Sequence, residues 1–172
     1  YYVWVKDNAG NVSETGYNVE TGKVTGLTES NTTITYNPDN WTNGNVVATA
    51  STTVKGFTLQ TSKDGETWSD TTSQTFTQNG TIYVRLVDDA GQEGGSTTGN
   101  IDKIDKLKPT VSSVSKTTNT ITITATDATA TSAYGKSEIA GYALTETTTQ
   151  PTSGFETSNK FTNLAQGKTY YV

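Results

Sequence analysis

The stretch YYVWVKDNAGN at residues 1–11 recurs as TIYVRLVDDAGQ at residues 81–92 and begins a third time as TYYV at residues 169–172. Placing Tyr1 on Ile82 aligns Val3 with Val84, Val5 with Leu86, Asp7 with Asp88 and Ala9-Gly10 with Ala90-Gly91. Apolar residues then fall at every second position, the spacing of a strand with one face in a core and one in water, and each copy runs into a turn. Such self-similarity restricts the chain to a repeat protein of small β domains. Tyr170-Tyr171-Val172 duplicates Tyr1-Tyr2-Val3 at a separation of 169 residues. The 172 residues therefore read as one period of a tandem array, an interior segment of a longer chain.

Composition bounds the chemistry. His, Cys and Met are all absent, which removes the usual proton shuttle, the thiol nucleophile and the commonest soft metal ligands together. No enzyme, cofactor or metal site is expected. The hydrophobic share of 31% is low, so any core is thin, while threonine at about a fifth of the residues suits strands with a solvated face. A net charge of −5 and a pI near 4.6 repel phosphate and anionic lipid. Nucleic acid is not an expected partner, and no apolar run approaches the roughly 20 residues of a membrane span. Missing cysteine alone leaves the compartment open.

In chain order, residues 1–22 form a strand, the DNAGN turn and a second strand near residues 13–19, a hairpin that is marginal alone in water. Asp7 is placed to accept backbone N–H bonds in that turn, with Gly10 or Asn11 at positive φ. Calcium is the rival reading of the acidic loops, but a Ca²⁺ cage needs about 6–8 oxygens, and Asp88-Asp89 lacks the spacing. Residues 23–108 hold a sandwich-like domain with strands near residues 32–36, 46–50, 56–61, 74–77, 81–88 and 97–104. Asn43-Gly44 and Asp64-Gly65 mark turns, and Phe57 and Leu59 point inward. The charged run 100–109, closed by Pro109, is the expected domain boundary. Residues 109–172 supply strands near 120–126, 139–144, 160–164 and 167–172.

The motifs S-x-D-G-x-T-W at residues 62–68, G-T-x-Y-V-R at 80–85 and D-x-A-G at 88–91 resemble those of bacterial cell-surface immunoglobulin-like repeats. Residues 100–109 are similar to the N-I-D-K…P-T junction of the same repeats, in a longer form that gives more room to bend. The second half resembles fibronectin type III domains: Ile139, Gly141, Tyr142 and Leu144 match I-x-G-Y-x-L, and Leu164, Gly167, Tyr170 and Val172 match the L-x-P-G-x-x-Y-x-V-x-V corner, with Gln166 in place of proline. Splicing Val172 onto Trp4 completes that corner, with Val5 as the next inward valine. The resemblance implies an all-β chain of tandem antiparallel β-sandwiches, cut mid-domain. Residues 1–22 are then the last hairpin of a fibronectin type III-like domain whose body lies in the preceding repeat, and are expected not to pack on residues 109–172 of their own period.

Tyr2, Trp4, Trp41, Trp68 and Tyr83 are candidates for surface or glycan contact, because aromatic faces stack on sugar rings. The competing reading is that they cover a sheet face or a domain contact. Thr120, Thr122, Thr124 and Thr126 form an outward threonine row, which is what inward Ile121, Ile123 and Ala125 leave to solvent. An isopeptide cross-link would need an inward lysine, and none is evident. The Asn-x-Ser/Thr triplets at Asn11, Asn31, Asn40 and Asn79 carry little weight, since chance supplies them in so Asn- and Thr-rich a chain. The expected function is a structural module of an extracellular bacterial stalk, fibre or adhesin shaft whose partners are neighbouring repeats end to end, with glycans or host surface ligands at its surface. The alternative is a carbohydrate-binding or spacer module of a secreted polysaccharide-active enzyme.

Overall fold

The computed structural model describes residues 2–14, 16–18, 27 and 31–172. The chain boundary expected near residue 22 and the end of the strand expected over 13–19 lie outside them. The described residues are all-β and sandwich-like: β1 (Tyr2–Val3) pairs with β2 (Tyr17–Asn18), and three three-stranded sheets follow. The first two are β3 (Thr32–Asn37), β4 (Val46–Thr52) and β6 (Ser73–Phe76) in the order β3-β4-β6, and β5 (Thr58–Ser62), β7 (Gly80–Val87) and β8 (Thr97–Ile101) in the order β5-β7-β8. The third is β9 (Thr110–Lys116), β10 (Ile121–Thr126) and β11 (Lys160–Phe161) in the order β11-β10-β9. No helix among the described residues is long and apolar enough to cross a membrane.

Contacts group the described residues into two compact units, one within Tyr1–Ile34, Thr49–Gln74 and Ile82–Gly99, the other within Thr35–Ala48, Thr75–Thr81 and Asn100–Val172. In the first unit the period-two pattern of β7 is realised: Ile82, Val84 and Leu86 are each 0% exposed. Each contributes on the order of 1.5–3 kcal/mol of burial. On β5, Leu59 and nearby Phe57 are only half-buried. The deep positions are Thr61 and Ser62. These polar residues tolerate burial because their hydroxyls are bonded, Thr61 Oγ1 to Thr71 Oγ1 at 3.0 Å and Ser62 Oγ to Asp64 Oδ1 at 2.8 Å. The Asp64-Gly65 turn closes as expected, with Asp64 Oδ1 accepting from the Thr67 and Glu66 amides, which together with the Ser62 hydroxyl hold its carboxyl far below the usual carboxylate range.

The sequence repeat is also a structural repeat. Asp7 Oδ1 accepts from the Ala9 and Asn11 amides at 2.9 and 2.8 Å, and Asp88 Oδ1 accepts from Ala90 and Gln92 at the same two distances. The flanking bonds also match: the Gly10 amide to Asp7 O beside the Gly91 amide to Asp88 O, and the Ser13 amide to Val5 O beside the Gly94 amide to Leu86 O. Gly10 and Gly91 both take positive φ, 98° and 78°, a conformation with little cost only for glycine. Bridges Lys6↔Val12 and Val87↔Glu93 complete the match. Both acidic loops are thus turns that use their aspartate internally, and among the described residues no three His, Cys, Asp or Glu side chains group as metal ligands.

The two copies differ in burial. Val3 and Val5, the counterparts of Val84 and Leu86, are 47% and 65% exposed. A similar deficit marks the third sheet. Every residue of β9 is exposed, and Ile123 on β10 is the one fully buried apolar residue described in residues 109–172.

The segment 139–144, expected as a strand, is held only by single bridges, Tyr142↔Glu156 and, one residue beyond, Thr145↔Tyr171. The strand expected over 160–164 is shortened to β11, and that over 167–172 to the one bridge at Tyr171. β9 was not signalled by the sequence, because its exposed Ser and Val residues follow no single period. The different burial of the two hairpins yields a prediction: Leu86→Ala should cost about 2–5 kcal/mol in urea unfolding, whereas the aligned Val5→Ala should stay within about 0.5 kcal/mol of the parent.

Candidate functional site

The second unit carries an open groove of about 880 Å³ whose floor is apolar, including Val111, Ile123, Ala125, Ile139 and Tyr142. Its far edge is formed by Phe155, Tyr171 and Val172, all exposed. β9 and β10 pair with each other, and the other lining segments are joined by the reciprocal bonds Tyr142–Glu156 and Thr145–Tyr171 at 2.7–2.9 Å. A small corner fixes the approach to Tyr171: the Tyr170 hydroxyl accepts from the Ala165 amide at 3.2 Å, while Gly167 turns with φ 75°.

One end of the groove is closed by a polar joint in the same unit. Asp105 is 8% exposed. Its Oδ2 accepts from both the amide and the hydroxyl of Ser137, at 2.9 and 2.8 Å, and its Oδ1 accepts from the Leu107 amide at 3.0 Å. Burial pushes the carboxyl pKa up, but the bonds from Ser137 and Leu107 outweigh it, and the group sits below its ordinary value. Asn79 forms the second clasp. Its Oδ1 accepts from the Ile104 amide at 2.9 Å, its Nδ2 donates to Asp102 O at 3.3 Å, and its own amide donates to Ala133 O at 2.8 Å. Both ends of the Asn79 side-chain amide are thus engaged with protein.

Between the clasps, Trp41 lies against Gly135, where an added Cβ would come to 2.6 Å from the indole. The Gly135 amide donates to Ile104 O, and Thr42 and Asp105 bond through their main chains. Glu138, at φ 66°, is a non-glycine residue in left-handed space. Its amide is held by Asp127 Oδ2 at 2.7 Å. The junction at 100–109 is thus not a bare charged tether: Ile101 and Ile104 are buried, and Asp105 binds across 32 residues to Ser137.

The aromatic residues singled out in the sequence are dispersed and mostly engaged with protein. Trp4 covers Gly16, whose Cβ would meet the indole at 2.7 Å. Trp68 lies beneath Arg85, with the guanidinium 4.2 Å from the ring centre. That guanidinium also reaches Gln60 and Glu93. Tyr83 packs beside Gly65, and Tyr2 is exposed on β1. Of the five, Trp41 alone lines the groove. Asp105, Ser137, Asn79 and Gly135 were not anticipated, since a bond spanning 32 residues leaves no periodic trace.

Asp105 supplies a pH test of the joint. Its pKa is lowered in the fold, so its stabilisation is present above the unfolded value near 3.8 and is lost as pH falls through the folded value. Protection of the Ser137 and Leu107 amides, taken relative to the intrinsic exchange rate at each pH, should therefore fall as pH drops below about 3.8. Asp105→Asn should remove that acid step and cost roughly 1.5–3 kcal/mol in urea unfolding at neutral pH. Comparison of the chain with protein-family models, with curated proteins and with solved structures finds no match.

Proposed function

We propose that this chain is a structural repeat module of an extracellular bacterial stalk, fibre or filament, built from alternating immunoglobulin-like and fibronectin type III-like domains. The observation that carries the reading is the hairpin repeated bond for bond at Asp7 and Asp88. One unit of architecture has been copied within a single chain, as in arrays that gain reach by adding modules in line.

Two further features support the domain types. In β3-β4-β6 and in β11-β10-β9, the first two strands of a sheet are joined by a later one, the arrangement of the A, B and E strands of such sandwiches. The Tyr170 hydroxyl bonded back to Ala165 is the contact of a tyrosine corner.

Electron microscopy of the full-length protein tests the reading. The expected image is a thin beaded thread, and a compact particle would overturn it. Retention on a polysaccharide that is lost in Trp41→Ala or Trp68→Ala would favour the carbohydrate-binding alternative instead.

A further inference from the structure

We infer that the apolar groove of the second unit is the receptor for a β1–β2 hairpin from a second copy of this chain. The inference rests on the modular reading above and names the partner of the groove. Three observations converge on it.

First, the fold itself shows how this hairpin is used when its surroundings are complete. The Asp88 copy has the same turn bonds, and its inward residues Ile82, Val84 and Leu86 are wholly buried. The Asp7 copy has the backbone geometry of a core-forming strand pair while Val3 and Val5 remain in water. Second, the groove lacks what the hairpin offers. Val111, Ala125 and Ile139 line the groove without being fully buried, and Val111 is 46% exposed. Third, the edge of the groove carries a register mark. Tyr171-Val172 repeats Tyr2-Val3, and Tyr171 is already bonded to Thr145 in both directions. The β1 sequence thus carries the same residue pair that the groove already engages at Thr145. Main-chain bonds along the edge would fix the direction, and alternate side chains would fill the groove. The interface is head-to-tail rather than two-fold, so it propagates into a line rather than closing a dimer.

Complementation between two variants of the 172-residue chain tests this. Val5→Asp spoils the hairpin and leaves the groove; Val111→Asp spoils the groove and leaves the hairpin. The parent chain should associate with rising concentration in sedimentation velocity, and each variant alone should associate at least about tenfold more weakly, since a buried unpaired carboxylate costs at least the 1.4 kcal/mol that a factor of ten represents. An equimolar mixture should recover a complex that stops at two chains, which also shows that both variants are folded. The inference is overturned if the parent stays monomeric throughout, if either variant associates like the parent, or if the mixture forms no pair. A parent that is monomeric but exposes its groove to a hydrophobic dye only after Val5→Asp would show that the hairpin serves its own chain. A beaded thread from the full-length protein together with a monomeric parent would overturn this inference alone and leave the modular reading standing.

Discussion

The hydrogen bonds of a single aspartate to the amides two and four residues ahead fix the register of each repeated hairpin, and register decides which side chains meet the core. Strand side chains alternate with period two, so a slip of one residue would turn Val84 and Leu86 to water and Arg85 inward. Asp88 prevents that slip, and Gly91 supplies the positive φ that lets the chain close on it. Asp7 and Gly10 do the same for β1 and β2. Bonds from Asn11, side chain first and then main chain, hold the Asp7 carboxyl below its ordinary value, in keeping with a turn built around the ionised form.

Identical local geometry has different consequences in the two places because most of a hairpin's stability comes from what its apolar face covers. On β7 that face, Ile82, Val84 and Leu86, closes a core; in the Asp7 copy Val3 and Val5 stay exposed. The third sheet is covered unevenly: Ile123 is wholly buried, while Val111 and Val114 on β9 stay exposed. Its joint to the segments around Trp41, Asn79 and Ile104 compensates in part, replacing apolar burial with a dense set of satisfied polar contacts. Among the described residues no buried side-chain nitrogen or oxygen lacks a partner.

Strands whose residues alternate cleanly were legible in the sequence. β4 buries Val46, Ala48 and Ala50 in turn, and β7 follows its expected pattern to its last residue. β9 was not legible, since an exposed strand carries no amphipathic signal, and residues 139–144 were over-read because a good strand pattern still needs a neighbour long enough to pair with. The repeated turn followed from the D-x-A-G motif at residues 7–10 and 88–91. The joint did not: Asp105 looked like one more charge in a linker, and nothing near Ser137 marks it as that aspartate's partner. Long-range polar contacts depend on the folded path, which local composition does not encode.

The hairpin of β1 and β2 has the backbone bonds of the core-forming copy, yet Val3 and Val5 stay exposed. Amide hydrogen exchange at the equivalent Ser13 and Gly94 tests that contrast most directly, because their bonds to Val5 and Leu86 have the same length, 2.8 Å, and differ only in surroundings. In dilute solution Gly94 should be strongly protected and Ser13 should exchange rapidly, with Ser13 gaining protection as concentration rises. Equal protection of the two amides at the lowest concentration would contradict the account.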